Sequence, residues 1–256
     1  MGLHLFGCVC GHIHSKGALM GMAEEHVSVP VPFYVIEHEK GVVLFDCGMP
    51  AAMRDPNETY LTALRSAGMD VEIGAGETVT GRLHGLDIDP ARVRFVVLSH
   101  LHFDHCGGLA ELPNAKIVVQ AREWAAGADR DLAVRHYLRR NYFDLGHERL
   151  EIEGEHDLFG DATLTCLPSP GHTPGHQSLR VRGQQGEFIL VADACYNREV
   201  VQTRTFPPGA DAAACNRSLD ALLALRGPDA VMIWGHDPAQ WGARPILPGA
   251  RIGAGR

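Results

Sequence analysis

The stretch Ser99-His100-Leu101-His102-Phe103-Asp104-His105-Cys106-Gly107-Gly108 constrains this chain more than any other. It sets three histidines and an aspartate within six positions, directly after the apolar β-type run 93–98. A strand followed by a polar cluster and a glycine pair puts that cluster on a loop at the carboxyl end of a buried strand, where α/β proteins hold their ligands. His100 and His102, two apart on extended backbone, point the same way and can share one metal ion. Asp104 and His105 turn around the corner and can hold a second ion. The glycines let the following helix begin close to the metals without a Cβ clash. Neutral imidazoles with a hard carboxylate oxygen suit zinc, with other divalent transition metals as alternatives. A solvated loop has no reason to carry metal-ligand spacing at a core strand's end, even in a chain with 15 histidines.

A chain of 256 residues can bury a sizeable core, and we read 1–256 as a single domain because no linker, low-complexity run or repeat divides it. The net charge of −8, without a Lys/Arg run, argues against nucleic acid or an anionic membrane as partner. No apolar stretch approaches a membrane-spanning length, and the first residues lack the basic and apolar regions of a secretory signal. Seven cysteines, at 8, 10, 47, 106, 166, 195 and 215, show no disulfide rhythm and read as reduced, mostly buried thiols. The expected location is the cytoplasm.

Along the chain, Cys8-Val9-Cys10-Gly11-His12-Ile13-His14 reads as a first strand whose alternate residues share a side, rather than as a metal site. Residues 15–25 read as a flexible apolar loop that either fills core or lines a pocket. Runs 29–36 and 42–45 make a hairpin. The second run ends in Asp46-Cys47-Gly48, and Asp46 is read as holding a ligand histidine by its second nitrogen rather than merely capping a turn. Helices are expected over 58–67, 77–85, 121–126, 129–140 and 210–226, and strands over 116–120, 163–167, 188–192 and 230–234. His136, within the 129–140 helix, reads as a surface or packing residue. The loop Pro170-Gly171-His172-Thr173-Pro174-Gly175-His176 offers His172 as ligand, because His176 begins the next strand. Asp193 and His236 also follow apolar runs. The tail after Trp241, rich in Gly, Pro and Arg, reads as surface-laid or partly disordered. The pattern predicts an α/β fold of two sheets packed face to face with helices outside, and the loops at 46, 99–105, 171–173, 193 and 235–236 on one edge.

His100, His102, Asp104, His105, His172, Asp193 and His236 are too many ligands for one tetrahedral ion and suit two ions with Asp193 as the bridging carboxylate. Two ions sharing a water lower its pKa towards neutrality, so the expected nucleophile is a bridging hydroxide and the expected chemistry hydrolysis.

The pattern His-x-His-x-Asp-His with separate downstream His, Asp and His resembles the metallo-β-lactamase superfamily over roughly residues 30–240. The resemblance implies an αβ/βα sandwich, with two mixed β-sheets and helices on the outer faces. More narrowly, 100–108, Pro-Gly-His-Thr-Pro-Gly-His-Gln at 170–177 and Asp193-Ala194-Cys195-Tyr196 resemble the N-acyl-homoserine lactone lactonases, which open the lactone ring of quorum-sensing signals. That likeness implies His100, His102 and His172 around one zinc, Asp104, His105 and His236 around the other, and Asp193 between them. It also implies Tyr196 at the substrate carbonyl, Asp104 as the proton carrier, a small lactone as substrate and a homodimer as the assembly. Residues 8–22 fall where such enzymes shape the acyl pocket, and no individual residue there is matched. Rival readings are a dinuclear hydrolase of another small lactone or ester, such as a pyridoxolactone-type lactone, a di-iron redox protein and a non-catalytic metal-binding module. A redox relative tends to have glutamate where this chain has His102, and a full ligand set with Tyr196 disfavours the inert module.

Overall fold

The strands read as unbroken apolar runs because they are buried on both faces. In the run 42–45, Val42 and Leu44 enter one core while Val43 and Phe45 enter another. In the run 188–191, Phe188 and Leu190 face that second core while Ile189 and Val191 enter a third. Three apolar layers therefore separate four layers of structure, helices–sheet–sheet–helices. The computed structural model describes residues 3–241. The tail beyond Trp241 lies outside the described residues.

The first sheet contains β1 (His4–Lys16), β2 (His26–His38), β3 (Gly41–Phe45), β4 (Met69–Glu72), β5 (Val93–Val97), β6 (Lys116–Gln120) and β7 (Arg149–Ile152), in the order β4-β1-β2-β3-β5-β6-β7. The second contains β8 (His156–Asp157), β9 (Leu164–Pro168), β10 (Gln177–Gly183), β11 (Gly186–Ala192) and β12 (Val231–Trp234), in the order β12-β11-β10-β9-β8. Both are mixed: β3, β5, β6 and β7 pair in parallel, as do β11 and β12, and the other pairs are antiparallel. Helices α1 (Thr59–Ser66), α2 (Val79–Gly85), α3 (Phe103–Cys106), α4 (Ala121–Ala128), α5 (Arg130–Arg135) and α6 (Arg140–Phe143) lie on the first sheet's side; α7 (Arg198–Thr203) and α8 (Ala212–Leu225) cover the second. This is the expected αβ/βα sandwich. All seven cysteines are free and buried, as read. No helix among the described residues is long and apolar enough to cross a membrane.

The start and stop signals act locally. Thr78 caps α2 by accepting from Gly81 N–H, Asp211 caps α8 by accepting from Ala214 N–H, and α1 gives way at Gly68 with φ 83°.

Four expectations need correction. The helix read over 129–140 is two short helices, because Tyr137 takes a left-handed φ of 57° that ends α5 before α6 starts. The alternation read through 8–14 breaks at Gly11 (φ 74°), where the β1–β2 register shifts. Cys8 and Cys10 enter the core before the bulge and Ile13 after it, leaving His12 and His14 half-buried outside. Among the described residues, His12 and His14 join no group of three or more metal-type side chains. Residues 15–25 are less loop than expected: β1 runs on to Lys16 and a 3₁₀ turn follows at Gly17–Met20, with Met20 buried. Finally, the close approach that needs Gly107 and Gly108 is to the 47–50 loop. A Cβ at Gly107 would stand 2.2 Å from Pro50 Cδ, and one at Gly108 2.2 Å from Cys47 O.

Candidate metal centre

In the second sheet, β9 and β11 flank the antiparallel β10, and β12 is parallel to β11, so β9, β11 and β12 run one way. Their carboxyl ends lead to His172, Asp193 and His236. In the first sheet the parallel strands β3 and β5 end just before Asp46 and the 99–105 loop. The residues that carry chemistry thus come from both sheets and meet along one seam between them. Asp46 (φ 60°), just past β3, and Ala192 (φ 48°), the last residue of β11, both take left-handed backbone, which turns Asp46 and Asp193 into the seam. For Ala192 that conformation costs on the order of 1–2 kcal/mol. Non-glycine residues held this way gather where a site over-determines the backbone.

The structure brings the seven sequence-selected residues together as two groups. The first holds His100, His102, His172 and Asp193, with their ligating atoms within 4.8 Å of one another. The second holds Asp104, His105 and His236, again within 4.8 Å. Asp193 reaches both. Its Oδ2 lies 3.3 Å from His172 Nε2 and 3.7 Å from His100 Nε2. Its Oδ1 lies 3.2 Å from His236 Nε2 and 3.4 Å from His105 Nε2. His102 is half-buried and the other six are buried. His176 stays outside both groups, and its Nε2 instead accepts the backbone N–H of Asp193 at 3.1 Å.

The hydrogen bonds behind the imidazoles decide which nitrogen carries the proton. His102 Nε2 donates to the His136 carbonyl at 2.7 Å, and His236 Nδ1 donates to the Pro30 carbonyl at 2.8 Å. His105 Nδ1 donates to Asp46 Oδ2 at 2.8 Å. The Ser99 hydroxyl also donates to Asp46, at 2.8 Å, which leaves its oxygen to accept from His100 Nδ1 at 2.9 Å. Each of these four imidazoles thus keeps its other nitrogen facing inward, free to ligate when it carries no proton. His100 Nε2 faces His102 Nδ1 at 2.9 Å, His102 Nδ1 faces His172 Nε2 at 3.0 Å, and His105 and His236 face carboxylate oxygens. His105 Nε2 and Asp193 Oδ1 are buried with no hydrogen-bond partner among the described residues. Imidazole nitrogens and carboxylate oxygens that converge in a dry pocket need cations between them, protons or metal ions, and the donor set fits metal ions. Imidazole nitrogen and carboxylate oxygen suit zinc and its neighbours.

Charge is uneven across the seam. Burial pushes His100, His102 and His172 below the ordinary histidine range. Burial works the same way on His105 and His236, but the nearby carboxylates outweigh it. Asp193, Asp104 and Asp46 hold His105 well above that range, and Asp193 and Asp104 raise His236. Burial opposes ionisation of Asp193, yet His105 and His236 keep it well below the usual carboxylate value. The Tyr196 ring lies 5.6 Å from that of His172 and 5.2 Å from that of His236, straddling the two groups. Burial, then Asp193 and Asp104, push its phenol well above the usual value, so at neutral pH it is a proton donor.

Asp46 holds a histidine as read. The roles of the Ser99 hydroxyl and the His136 and Pro30 carbonyls escaped the sequence, since any residue supplies a carbonyl. Glu123 escaped it too. It shares the inner face of α4 with Ala126 and Gly127, and that spacing was the available signal. Arg135, His136 and Tyr137 line a narrow crevice with His102 and His172, with 208–210 opposite.

The profile of the Metallo-beta-lactamase superfamily matches residues 28–236. The N-acyl homoserine lactonase AttM of Azorhizobium caulinodans is 33% identical over 237 residues, covering 86% of this chain and 87% of that protein. The N-acyl homoserine lactonase AiiA of Bacillus thuringiensis subsp. kurstaki is 27% identical over 244 residues, 94% of each chain. Among solved structures, a B. thuringiensis AiiA variant with N-decanoyl-L-homoserine at its active site superposes with a TM-score of 0.83 at 24% identity, covering 96% of this chain and 98% of that one. The dizinc quorum-quenching lactonase AidC shares the fold at a TM-score of 0.66 and 17% identity, over 92% of this chain and 88% of its own. The chain belongs to the metallo-β-lactamase superfamily, in the branch that contains the N-acyl homoserine lactonases.

Proposed function

We propose that this protein is a dinuclear-zinc hydrolase that opens the lactone ring of N-acyl-homoserine lactones. The observation that carries the metal chemistry is the convergence of imidazole nitrogens from both groups on the two oxygens of Asp193. The substrate class comes from the relatives, whose names specify N-acyl homoserine lactones. His100, His102 and His172 would hold one ion, Asp104, His105 and His236 the other, and Asp193 would reach both.

When bound, the ions supply Lewis acidity and a water whose pKa falls towards neutrality. The chain's own groups do the rest. Tyr196, kept protonated by burial and its acidic neighbours, donates a hydrogen bond to the lactone carbonyl oxygen as negative charge develops there. His105 and His236 keep Asp104 ionised against the opposing effect of burial, so it can take a proton and return it to the ring oxygen as the ester C–O bond breaks. Asp46, Ser99 and the carbonyls of His136 and Pro30 keep the imidazoles in the tautomers that face inward.

Mass spectrometry of a panel of N-acyl-homoserine lactones tests this reading, with and without chelator. The expected result is a gain of one water in mass, abolished by chelation and restored by zinc. No gain across the panel with zinc bound would sink the signal-lactonase assignment, and turnover of a pyridoxolactone-type lactone would then redirect it.

A further inference from the structure

Glu123 is a fully buried carboxylate on the inner face of α4, in the layer of helices beside the first sheet. One oxygen accepts the backbone N–H of Leu101 at 3.1 Å, and the other accepts that of Gly175 at 2.8 Å. Leu101 stands between His100 and His102 on the loop after β5. Gly175 follows His172 by three residues on the loop between β9 and β10, in the other sheet. The second contact leaves no slack, because a Cβ on Gly175 would lie 2.2 Å from Glu123 N and 2.6 Å from its Cα. The same two segments also meet directly, where Gln177 N–H at the start of β10 donates to the Ser99 carbonyl at 2.9 Å. The loops that carry His100, His102 and His172 are therefore linked by a direct backbone bond and by a single carboxylate.

A buried carboxylate is a costly stitch. Burial pushes Glu123 up to about 7, although the Gly175 N–H pulls the other way. An apolar residue on this helix face would avoid that cost but leave two buried N–H groups unpaired. What the carboxylate adds is a fixed separation between the two loops.

We propose that Glu123 is a positioning residue that clamps the two loops and fixes the spacing of His100, His102 and His172 before metal arrives. The inference rests on the metal-centre reading above. A site whose ligands are already spaced loses little order on binding, and weakening the groups behind the ligands lowers metal affinity.

The test uses zinc alone, titrated into metal-free protein against a chromophoric chelator, with the thermal midpoint of the metal-free protein recorded alongside. Glu123→Gln keeps the shape but turns an N–H₂ towards one of the two N–H donors. It should weaken zinc binding by about 10–100-fold. Asp157→Asn is the comparison for plain destabilisation. Asp157, in β8 at the edge of the second sheet, accepts from the N–H groups of Phe159, Gly160 and Ala162 and touches neither ligand loop. It should lower the thermal midpoint without moving zinc affinity. A Glu123→Gln protein that loses thermal stability yet keeps zinc affinity within about twofold overturns the proposal.

Should Glu123→Gln not fold, amide exchange on the wild type decides. In metal-free protein the Leu101 and Gly175 amides should stay protected together. Fast exchange of either one, with β5 and β9 still protected, overturns the clamp. Wild-type protein that takes up no zinc at all overturns the metal-centre reading itself, an outcome distinct from a failure of Glu123.

Discussion

His100, His102 and His172 lie on one side of Asp193 and Asp104, His105 and His236 on the other, within opposite electrostatic surroundings. On the first side burial and crowded imidazoles push histidines down, and the carboxylate oxygen grouped with them is Oδ2 of Asp193. On the second side Asp46, Asp104 and Asp193 surround His105 and hold it up. An ion on the second side would have most of its charge balanced by carboxylates. An ion on the first side would keep more of it and pull harder on a carbonyl oxygen. Similar ligand atoms thus would not make equivalent positions, because the groups around them would set the charge that a bound ion retains.

The most severe way to break this contrast is to remove what both sides share. Asp193→Ala should lose both ions, read as metal content per chain, and abolish turnover. Retention of one full equivalent would show that one side closes without Asp193. Tyr196→Phe comes next, because its ring straddles the two sides. It should lower kcat by about 10²–10³-fold with two ions still bound. Loss of metal instead would make the tyrosine structural.

Asp46→Asn sharpens the contrast, because Asp46 bonds His105 directly and reaches His100 through the Ser99 hydroxyl alone. Zinc affinity should fall by about 10–100-fold at one equivalent and less at the other, as resolved by chelator competition. Equal losses at both would show that the two sides respond as one unit.

The smallest effect is a pH dependence. His105 and His236 have raised proton affinity in the metal-free protein, so they stay protonated to higher pH than an ordinary histidine. Zinc must displace those protons, so affinity should fall as pH drops towards 6, and uptake near neutrality should release protons to the buffer. Calorimetry in buffers of different ionisation enthalpy reads this release, and an uptake independent of buffer would contradict the charge assignment.

The grouping of the seven candidate residues was legible because they stand where an apolar run gives way abruptly to histidine or aspartate. A strand buried on both faces leaves that boundary sharp. The same burial made β3, β5, β6, β9 and β11 readable. The short edge strands β4 and β7 were not, since Met69-Asp-Val-Glu72 and Arg149-Leu-Glu-Ile152 face solvent in part and carry charge. The break at Tyr137 was invisible for another reason. Side-chain periodicity continues across it, while the fault lies in one backbone angle. Glu123 was hidden because a glutamate on a short helix is ordinarily solvated, and its spacing to Ala126 and Gly127 is a weak local sign that this one points inward.

The His236 bond to the Pro30 carbonyl joins groups 206 residues apart in sequence. Ring closure over that length is entropically unfavourable until most intervening structure has formed. During synthesis the 99–105 loop emerges long before the strand that brings His236. A nascent or prematurely ended chain can present His100 and His102 but lacks the imidazole that completes the second group. A chain that stops short of residue 236 would therefore be expected to take up less metal than one that reaches it.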